Sequence, residues 1–450
     1  MKLTAEINKS SNKTKYIMDS FMVLLNLSTS YSVIPYLVFR NFDRYVNMIL
    51  LIVVNIIYFT IRFKGNNHHK KKYQQNPLPK RKSTLILLYV AINIVCFISG
   101  LATGTGGMST LIYLVLNVEF YWLLCRLFDE YSSSFSVKDS YQKLIRGYKG
   151  LALLSLVGCI LMFAFIKMGG DPNQNPIGNK YDLFFDNAVN FGSMYYFPFH
   201  ICIVDTNPDI RLPFFQEAGI IEGLYHEPHC MTFMLFPALY LLLYYSKSRL
   251  QKVFWILSFL FIILLTGSTT NLAAVLMTLV VYMFYTFKSS FSKSLVLLFV
   301  LAIIYIGVIT YVDLETFSFI TAKVEGGSRD YSVSTLDFAM HPRSLLGTSF
   351  YNLSYINSST AAKTMDVGWI TFFLNGAFLL VCISRLVKLF KKKSPLAVAV
   401  LLFAVYFFTH SAKVAMVSYS LTMLIFVIFL IEETARIPDR VLLNDEKVSD

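Results

Sequence analysis

Charged side chains are scarce in this sequence, and their scarcity excludes an ordinary soluble protein. Asp, Glu, Lys and Arg make up 15% of the 450 residues, whereas 55% of the residues are hydrophobic. Soluble domains carry about 25% charged residues. A composition so far from the soluble average predicts an integral membrane protein.

Paired cysteines are also missing. The six cysteines are spread singly, mostly inside apolar runs, and no two have CxxC spacing, which excludes a disulfide framework and a cysteine zinc site. The N-terminus is polar from Met1 to Ser10, and no small-residue cleavage site follows the first apolar stretch. We therefore expect a first helix that is retained, with no removable signal peptide.

Acidic residues are outnumbered by basic ones, 27 to 40, which leaves a formal net charge of +13. The basic residues stand in short clusters between apolar runs and do not gather on one folded segment. This distribution is typical of membrane topology and not of nucleic-acid binding. We therefore expect no nucleic-acid partner.

The apolar stretches predict an all-α, polytopic membrane protein with about twelve transmembrane helices. A helix needs about 20 apolar residues to cross ~30 Å of hydrocarbon. The predicted spans are 17–38, 45–62, 83–103, 108–128, 150–168, 230–246, 253–267, 270–287, 294–312, 368–389, 395–411 and 414–432. Two pairs of these spans, 253–287 and 395–432, have very short connections, and we predict hairpins because each pair is too long for one span.

The basic residues also predict the orientation. Placing the termini and alternate loops on one side collects about 30 of the 40 basic residues there, and the positive-inside rule makes that side cytoplasmic. Both termini are then inside. The predicted organisation is five spans in 1–168, a large outer loop at 169–229, four spans in 230–312, a second large outer loop at 313–367, three spans in 368–432 and a cytoplasmic tail at 433–450.

The two large outer loops are where we expect the function. Both are far longer than the usual helix connection of about 2–8 residues, and long loops on a rigid scaffold often carry function. Five of the seven histidines are predicted on this side: His200, His226, His229, His341 and His410. So are three arginines of the two loops: Arg211, Arg329 and Arg343.

Those three arginines suit a phosphate ligand. A guanidinium group is permanently charged and binds two phosphate oxygens at once. Because the arginines come from two loops on one side, we predict that they converge at the membrane boundary. The alternative is that each arginine pairs with an acid beside it in the sequence.

A carboxylate and an imidazole stand together at the end of the first loop, in His226-Glu227-Pro228-His229. Pro228 suits the first turn of the following helix, which puts both groups at a membrane surface. Glu227 and His226 are therefore candidate general bases for a hydroxyl group. The two histidines lack HExxH spacing and an evident third ligand, so a metal site is the weaker alternative and we expect none.

Four features together resemble the Wzy-type polysaccharide polymerases of bacteria, which are related to O-antigen ligases. A large loop containing an arginine ends in Gly-aromatic-x-Glu-Pro, here within Gly223–Pro228. Two helices later stands Leu265-Thr-Gly-Ser-Thr-Thr-Asn271. A second large loop opens with Ser328-Arg329 and closes with Asn357-Ser358 before a span led by Gly368. The resemblance covers residues 169–390, and the order and spacing of the motifs are its specific part.

The resemblance implies a metal-independent glycosyltransferase that uses a lipid carrier and no cofactor. Such an enzyme moves the growing glycan from polyprenyl diphosphate to the next lipid-linked repeat unit, outside the bacterial inner membrane. Arg211, Arg329 and Arg343 would bind the diphosphate, and the candidate bases are Glu227, His226 and His341, in that order. Its partners would be the lipid-linked oligosaccharide donor and acceptor, membrane lipid, a chain-length regulator and a flippase.

This sequence departs from the family pattern at two places, and two alternative functions remain to be weighed. Relatives often carry an arginine shortly before the Glu-Pro motif, where this chain has Ile221 and Glu222, so that role has passed to Arg211 or is lost. Ligases share a His-Asn pair where this chain has Ile356-Asn357, which favours a polymerase over an O-antigen ligase. A flippase is the alternative from the transporter class, but it should show two similar halves and charges at the midplane, and the sequence offers little of either.

Overall fold

The fold is known for most of the membrane-embedded part of the chain. A computed structural model describes residues 2–29, 32, 34–39, 44–64, 78–103, 107–170, 194–197, 200–203, 220–225, 228–266, 269–287, 344–346, 368–411 and 422–447. The described part is almost entirely helical, with one small sheet.

The first 170 residues form a run of helices before the sheet. Their bounds are α1 (Lys2–Ser28), α2 (Ile34–Phe39), α3 (Arg44–Phe63), α4 (Thr84–Thr103), α5 (Gly107–Ser134), α6 (Val137–Leu144) and α7 (Arg146–Lys167). Helix α6 is short and polar. Ser136 caps its N-terminus by accepting a hydrogen bond from the Asp139 N–H at 3.1 Å, which satisfies one of the open amides there.

The sheet and the second half of the bundle follow. The strands are β1 (Met194–Phe197), β2 (His200–Ile203) and β3 (Ile220–Gly223). The helices are α8 (Pro228–Leu235), α9 (Pro237–Tyr245), α10 (Arg249–Thr266), α11 (Thr269–Thr286), α12 (Trp369–Phe390), α13 (Pro395–Ser411), α14 (Thr422–Arg436) and α15 (Asp439–Lys447).

The helices confirm a membrane-embedded, all-α protein. Six described segments, within α3, α4, α5, α7, α10 and α12, are long and apolar enough to cross a bilayer, and three shorter ones are also apolar. Every predicted span overlaps at least one helix, except 294–312, which lies outside the described residues. The total of twelve spans stays a prediction.

Proline interrupts two of the predicted spans. The span predicted at 17–38 divides into α1 and α2, and the one at 230–246 divides into α8 and α9. Pro35 lies in the first turn of α2 and Pro237 begins α9. Proline has no N–H and its ring clashes with the preceding turn, so a regular helix cannot continue through it. The distribution of apolar residues alone does not predict this break.

Two tyrosines stabilise the break at Pro237. The Tyr148 hydroxyl donates to the Met234 carbonyl at 2.7 Å, and the Tyr406 hydroxyl donates to the Thr232 carbonyl at 3.2 Å. Inside a membrane, backbone groups disturbed by a proline need another partner from the protein. Helices α7 and α13 therefore hold α8 in place.

The centre of the bundle is α14. Every residue from Thr422 to Thr434 is buried, because α5, α12 and α13 surround the helix. Peripheral helices instead expose apolar side chains, such as Ile61 of α3 and Leu380 of α12, with 74% and 69% exposed. Apolar side chains that face outward are expected where a helix faces lipid.

One end of the bundle holds the ion pairs found among the described residues, and we call it the ion-paired end. They join Arg62 to Asp19 and Glu130, Lys15 to Glu130, Arg81 to Asp129 and Glu433, and Arg436 to Glu433. Loops predicted on one side of the membrane meet here. The Tyr245 hydroxyl donates to the Lys138 carbonyl, the Tyr285 hydroxyl donates to the Lys392 carbonyl, and the Lys393 N–H donates to Asp439.

These contacts agree with the predicted hairpin at 253–287. Helix α10 begins shortly after Tyr245, and α11 ends next to Tyr285. Both residues are at the ion-paired end, so the chain reverses between the two helices. The opposite end carries the three strands, and we call it the sheet end.

Candidate functional site

The six predicted site residues lie outside the described residues: Arg211, His226, Glu227, Arg329, His341 and Arg343. Their convergence and their roles therefore stay predictions. The structure does describe the chain immediately before His226 and from Pro228 onward, as well as Ser344–Leu346 of the second predicted loop. These neighbouring segments define the surroundings of the candidate site at the sheet end.

A three-stranded antiparallel sheet, in the order β1-β2-β3, forms part of the first predicted loop. Phe197 pairs with His200 at the closed end of the first hairpin, and Ile203 pairs with Ile220 between β2 and β3. Strand β3 packs against α7, α8 and α10. The sheet was not predicted, although the aromatic and β-branched runs at 194–197 and 200–203 are typical of strands.

Gly223 fixes the end of β3 against the membrane helices. Its φ angle is +62°, a left-handed conformation that only glycine adopts without strain. A Cβ atom at this position would lie 2.7 Å from Met231 Sδ and 3.1 Å from Cys159 Sγ. The backbone conformation and the close contacts are thus two independent reasons for a glycine at position 223, two residues before Tyr225.

Tyr225, the aromatic residue of the Gly-aromatic-x-Glu-Pro motif, anchors the chain just before His226. It is 1% exposed, and its backbone forms an isolated antiparallel bridge with Ser32. Burial raises the pKa of its hydroxyl group, so the ring stays neutral. Tyr225 is thus a packing residue that connects the motif to the chain between α1 and α2.

A buried set of polar side chains, which we call the polar cluster, consists of Thr232, Asn271, Tyr406 and His410. Thr232 Oγ1 lies 3.1 Å from His410 Nε2, and the Tyr406 hydroxyl donates to Asn271 Oδ1 at 2.6 Å. All four residues are at most 1% exposed. The cluster therefore joins α8, α11 and α13 through hydrogen bonds.

Aromatic rings enclose the imidazole of the polar cluster. The ring of His410 lies 5.5 Å from that of Phe233 and 5.6 Å from that of Tyr406, centroid to centroid. His410 is closed off in this way and only 1% exposed, so it acts as a structural residue of the bundle. It positions the first turns of α8, which begins at Pro228, one residue after Glu227.

The second predicted loop meets the start of α12. The Trp369 N–H donates to the Ser344 carbonyl at 2.9 Å, and the Ile370 N–H donates to the Leu345 carbonyl at 3.2 Å. The first N–H groups of a helix have no partner within the helix, and here the loop supplies acceptors for two of them. Ser344 follows Arg343 in the sequence. The segment directly after this predicted site residue is therefore hydrogen-bonded to the start of the span that Gly368 leads.

A separate polar group lies deeper in the bundle. The Asn26 and Asn55 side-chain amides donate to each other at 2.9 and 3.0 Å, and Asn55 also donates to Glu119 at 3.4 Å. Polar side chains within a membrane are stable when they satisfy one another across helices. This group connects α1, α3 and α5, and Glu119 is a hydrogen-bonded member of it.

Replacing Gly223 tests the contact between β3 and the helices. We expect Gly223→Ala to lower the free energy of unfolding by about 1–3 kcal/mol through backbone strain and overpacking. It should also make Cys159, which is fully buried, reactive towards a maleimide, as measured by mass spectrometry. Gly169→Ala is the matched control, because Gly169 has a φ of +85° but nothing within 4 Å of an added Cβ. Equal Cys159 labelling in both variants would contradict the close contact.

No protein-family model, curated protein or solved structure matches this chain.

Proposed function

We propose that this chain is a Wzy-type polymerase of lipid-linked oligosaccharide repeat units, acting outside the bacterial inner membrane. In this proposal about twelve helices cross the membrane, both termini are cytoplasmic, and the loops at 169–229 and 313–367 are extracytoplasmic. The product is a surface polysaccharide, and the lipid carrier is a polyprenyl diphosphate.

The observation that carries the proposal is the polar cluster. It links α8, which starts within the Glu-Pro motif, to Asn271, the residue that directly follows the Leu-Thr-Gly-Ser-Thr-Thr run beginning at Leu265. The two motifs are about forty positions apart in the sequence, yet helices that follow them are hydrogen-bonded through α13. Residues next to two separate motifs are thereby held on one rigid base, as a functional site requires.

The proposed chemistry is transfer of a glycan between two lipid-linked molecules. A hydroxyl oxygen of the acceptor repeat unit attacks the anomeric carbon that joins the growing glycan to its diphosphate. The new C–O bond forms, the bond to the diphosphate breaks, and the polyprenyl diphosphate leaves with the electron pair. A base accepts the hydroxyl proton, with Glu227, His226 and His341 as candidates in that order.

Arginine would lower the barrier to this transfer. Negative charge develops on the departing diphosphate, and Arg211, Arg329 and Arg343 are proposed to stabilise it more strongly than they stabilise the bound donor. No metal ion or nucleotide sugar takes part in the proposal.

The ion-paired end supports the proposed orientation. Loops rich in lysine and arginine meet at that end, and the positive-inside rule assigns such loops to the cytoplasm. The sheet end, with the residues that flank Glu227, would then face outward.

Replacement of the three arginines tests the proposed diphosphate site. We expect Arg211→Ala, Arg329→Ala and Arg343→Ala each to shorten the surface glycan without reducing the amount of protein in the membrane. Gel electrophoresis of the extracted polysaccharide measures the chain lengths. Arg→Lys should restore part of the length, because an ammonium group cannot make the two-pronged contact.

Lys180→Ala is the control for these variants, since Lys180 is another basic residue of the first predicted loop. It should leave the glycan length unchanged. Wild-type lengths in all three arginine variants would refute the diphosphate site.

A deletion strain separates the proposed activity from a flippase. Loss of a polymerase leaves a surface glycan that is one repeat unit long, whereas loss of a flippase leaves none. Complete absence of the glycan would therefore contradict the proposal, even if the arginine variants were impaired.

A further inference from the structure

A basic cleft opens at the ion-paired end. Its volume is about 460 Å³, which falls in the range of small-ligand sites. It lies where α6 meets α7, and it is lined by Phe135, Asp139, Gln142, Lys143, Arg146 and Lys149. Three of these side chains are positively charged and one is negatively charged.

The three cations of the cleft are not neutralised by ion pairs. Within the described part of the chain, no carboxylate lies within 4.0 Å of Lys143, Arg146 or Lys149. By contrast, Arg62 and Arg81 at the same end are each neutralised by two acids. The cleft therefore keeps its positive charge, unlike these two arginines.

Aromatic rings hold two of the cations in position. Lys143 Nζ lies 4.1 Å from the ring centre of Tyr16 and 4.2 Å from that of Phe135. Lys149 Nζ lies 4.2 Å from the ring centre of Tyr245. A cation over an aromatic face is attracted to the ring but keeps its hydrogen-bond donors available. Both ammonium groups are thus preorganised and can still bind an anion.

The position of the cleft suits a phosphate at the membrane boundary. The apolar span of α7 begins at Arg146, so Arg146 and Lys149 stand where lipid headgroups lie. The exposed guanidinium group of Arg146 can bind two phosphate oxygens, while the lysines act as point charges. Basic residues beside a span attract anionic lipid.

We propose that this cleft binds a phosphate-bearing anion, which its arginine and two lysines recognise. Two sources share this chemistry: the headgroup of an anionic phospholipid and soluble phosphate. The inference goes beyond the polymerase proposal and does not depend on it, because none of the residues that line the cleft belongs to the polar cluster.

Thermal unfolding of the full-length protein in neutral detergent tests this inference, because a ligand that binds the folded state raises the unfolding midpoint. The probes are inorganic phosphate, short-chain phosphatidylglycerol and short-chain phosphatidylcholine. We expect phosphatidylglycerol to raise the midpoint in a concentration-dependent way, and phosphatidylcholine to do so much less. If inorganic phosphate also raises it, the phosphate group alone suffices. If only the lipid does so, the headgroup and its chains are both needed.

Arg146→Ala is the critical variant, since Arg146 is exposed and its replacement should not disturb folding. We expect it to weaken phosphatidylglycerol binding about tenfold, which corresponds to losing one charge-assisted contact pair. Lys252→Ala is the matched control, because Lys252 is an exposed cation at the start of α10. The inference is overturned if neither anion raises the wild-type midpoint, or if Lys252→Ala weakens binding as much as Arg146→Ala does.

Discussion

Asp19→Ala is expected to lower the free energy of unfolding by about 3–5 kcal/mol, the usual result of breaking a buried ion pair. The Asp19 carboxylate is 1% exposed. It accepts hydrogen bonds from Arg62 at 2.8 and 3.1 Å, from the Tyr131 hydroxyl at 2.6 Å and from the Tyr58 hydroxyl. Removing it takes away one of the two acids that Arg62 binds, and the Arg62 side chain, only 7% exposed, keeps Glu130 alone as an acidic partner among the described residues. Thermal unfolding in detergent measures the loss.

Lys15→Ala is the control for this variant. Lys15 pairs with Glu130 at the same end, but the two side chains are 30% and 26% exposed. Ion pairs that water reaches contribute at most about 1 kcal/mol, so this variant should unfold almost like the wild type. An equal loss for Asp19→Ala and Lys15→Ala would show that the Asp19 pair is not buried.

A double replacement distinguishes two causes of this loss of stability, the broken ion pair and the lost hydrogen bonds to Tyr58 and Tyr131. Asp19→Leu combined with Arg62→Met removes both charges and keeps apolar volume. Because an apolar pair often replaces a buried ion pair at little cost, the double variant should recover more than half of the stability that Asp19→Ala loses. Failure to recover would mean that the hydrogen bonds to Tyr58 and Tyr131 carry the stability.

The sequence predicts the helices well and their interruptions poorly. Apolar runs locate the membrane segments because each needs a fixed length of apolar residues. They give no sign of the break at Pro237, where the apolar character continues from α8 into α9. Nor do they predict that Ile220–Gly223 forms a strand, because that strand depends on partners distant in the sequence.

The candidate site is predictable only in part, for a physical reason. His410 and Thr232 are 178 positions apart, and nothing local in the sequence indicates that they share a hydrogen bond. The same holds for Asp19 and Arg62. Basic residues near the spans were attributed to topology, yet Arg62 is buried and hydrogen-bonded. Charge distribution predicts the side of a residue, whereas tertiary packing decides its partner.

Gly147→Ala is expected to destabilise the protein by about 3 kcal/mol, at the upper end of the usual range for overpacking. Helices α1 and α7 are in close contact at this residue. A Cβ atom there would lie 2.1 Å from the Ser20 carbonyl oxygen and 3.0 Å from the Leu24 amide nitrogen. Both are backbone atoms, so the helices must separate. Small residues permit such close approach between membrane helices. The unfolding midpoint in detergent measures the effect.

Gly150→Ala is the matched control on the same helix. An added Cβ at Gly150 would have the Leu24 Cδ1 atom as its nearest neighbour, at 3.8 Å, which is an ordinary contact. Since alanine favours a helix over glycine by about 1 kcal/mol, this variant should be neutral or more stable. Two variants with equal midpoints would contradict the close approach of α1 and α7.

The two stability predictions are coupled through α1. Ser20, whose carbonyl would meet the new methyl group, follows Asp19 in the sequence. If α1 shifts at Ser20, the neighbouring Asp19 carboxylate changes its position relative to Arg62 on α3, so we expect Gly147→Ala itself to weaken the ion pair. We therefore expect the double variant of Gly147→Ala and Asp19→Ala to lose less stability than the sum of the single losses, as neighbouring sites do. Strict additivity would mean that α1 bends locally at Ser20 and leaves the ion pair intact.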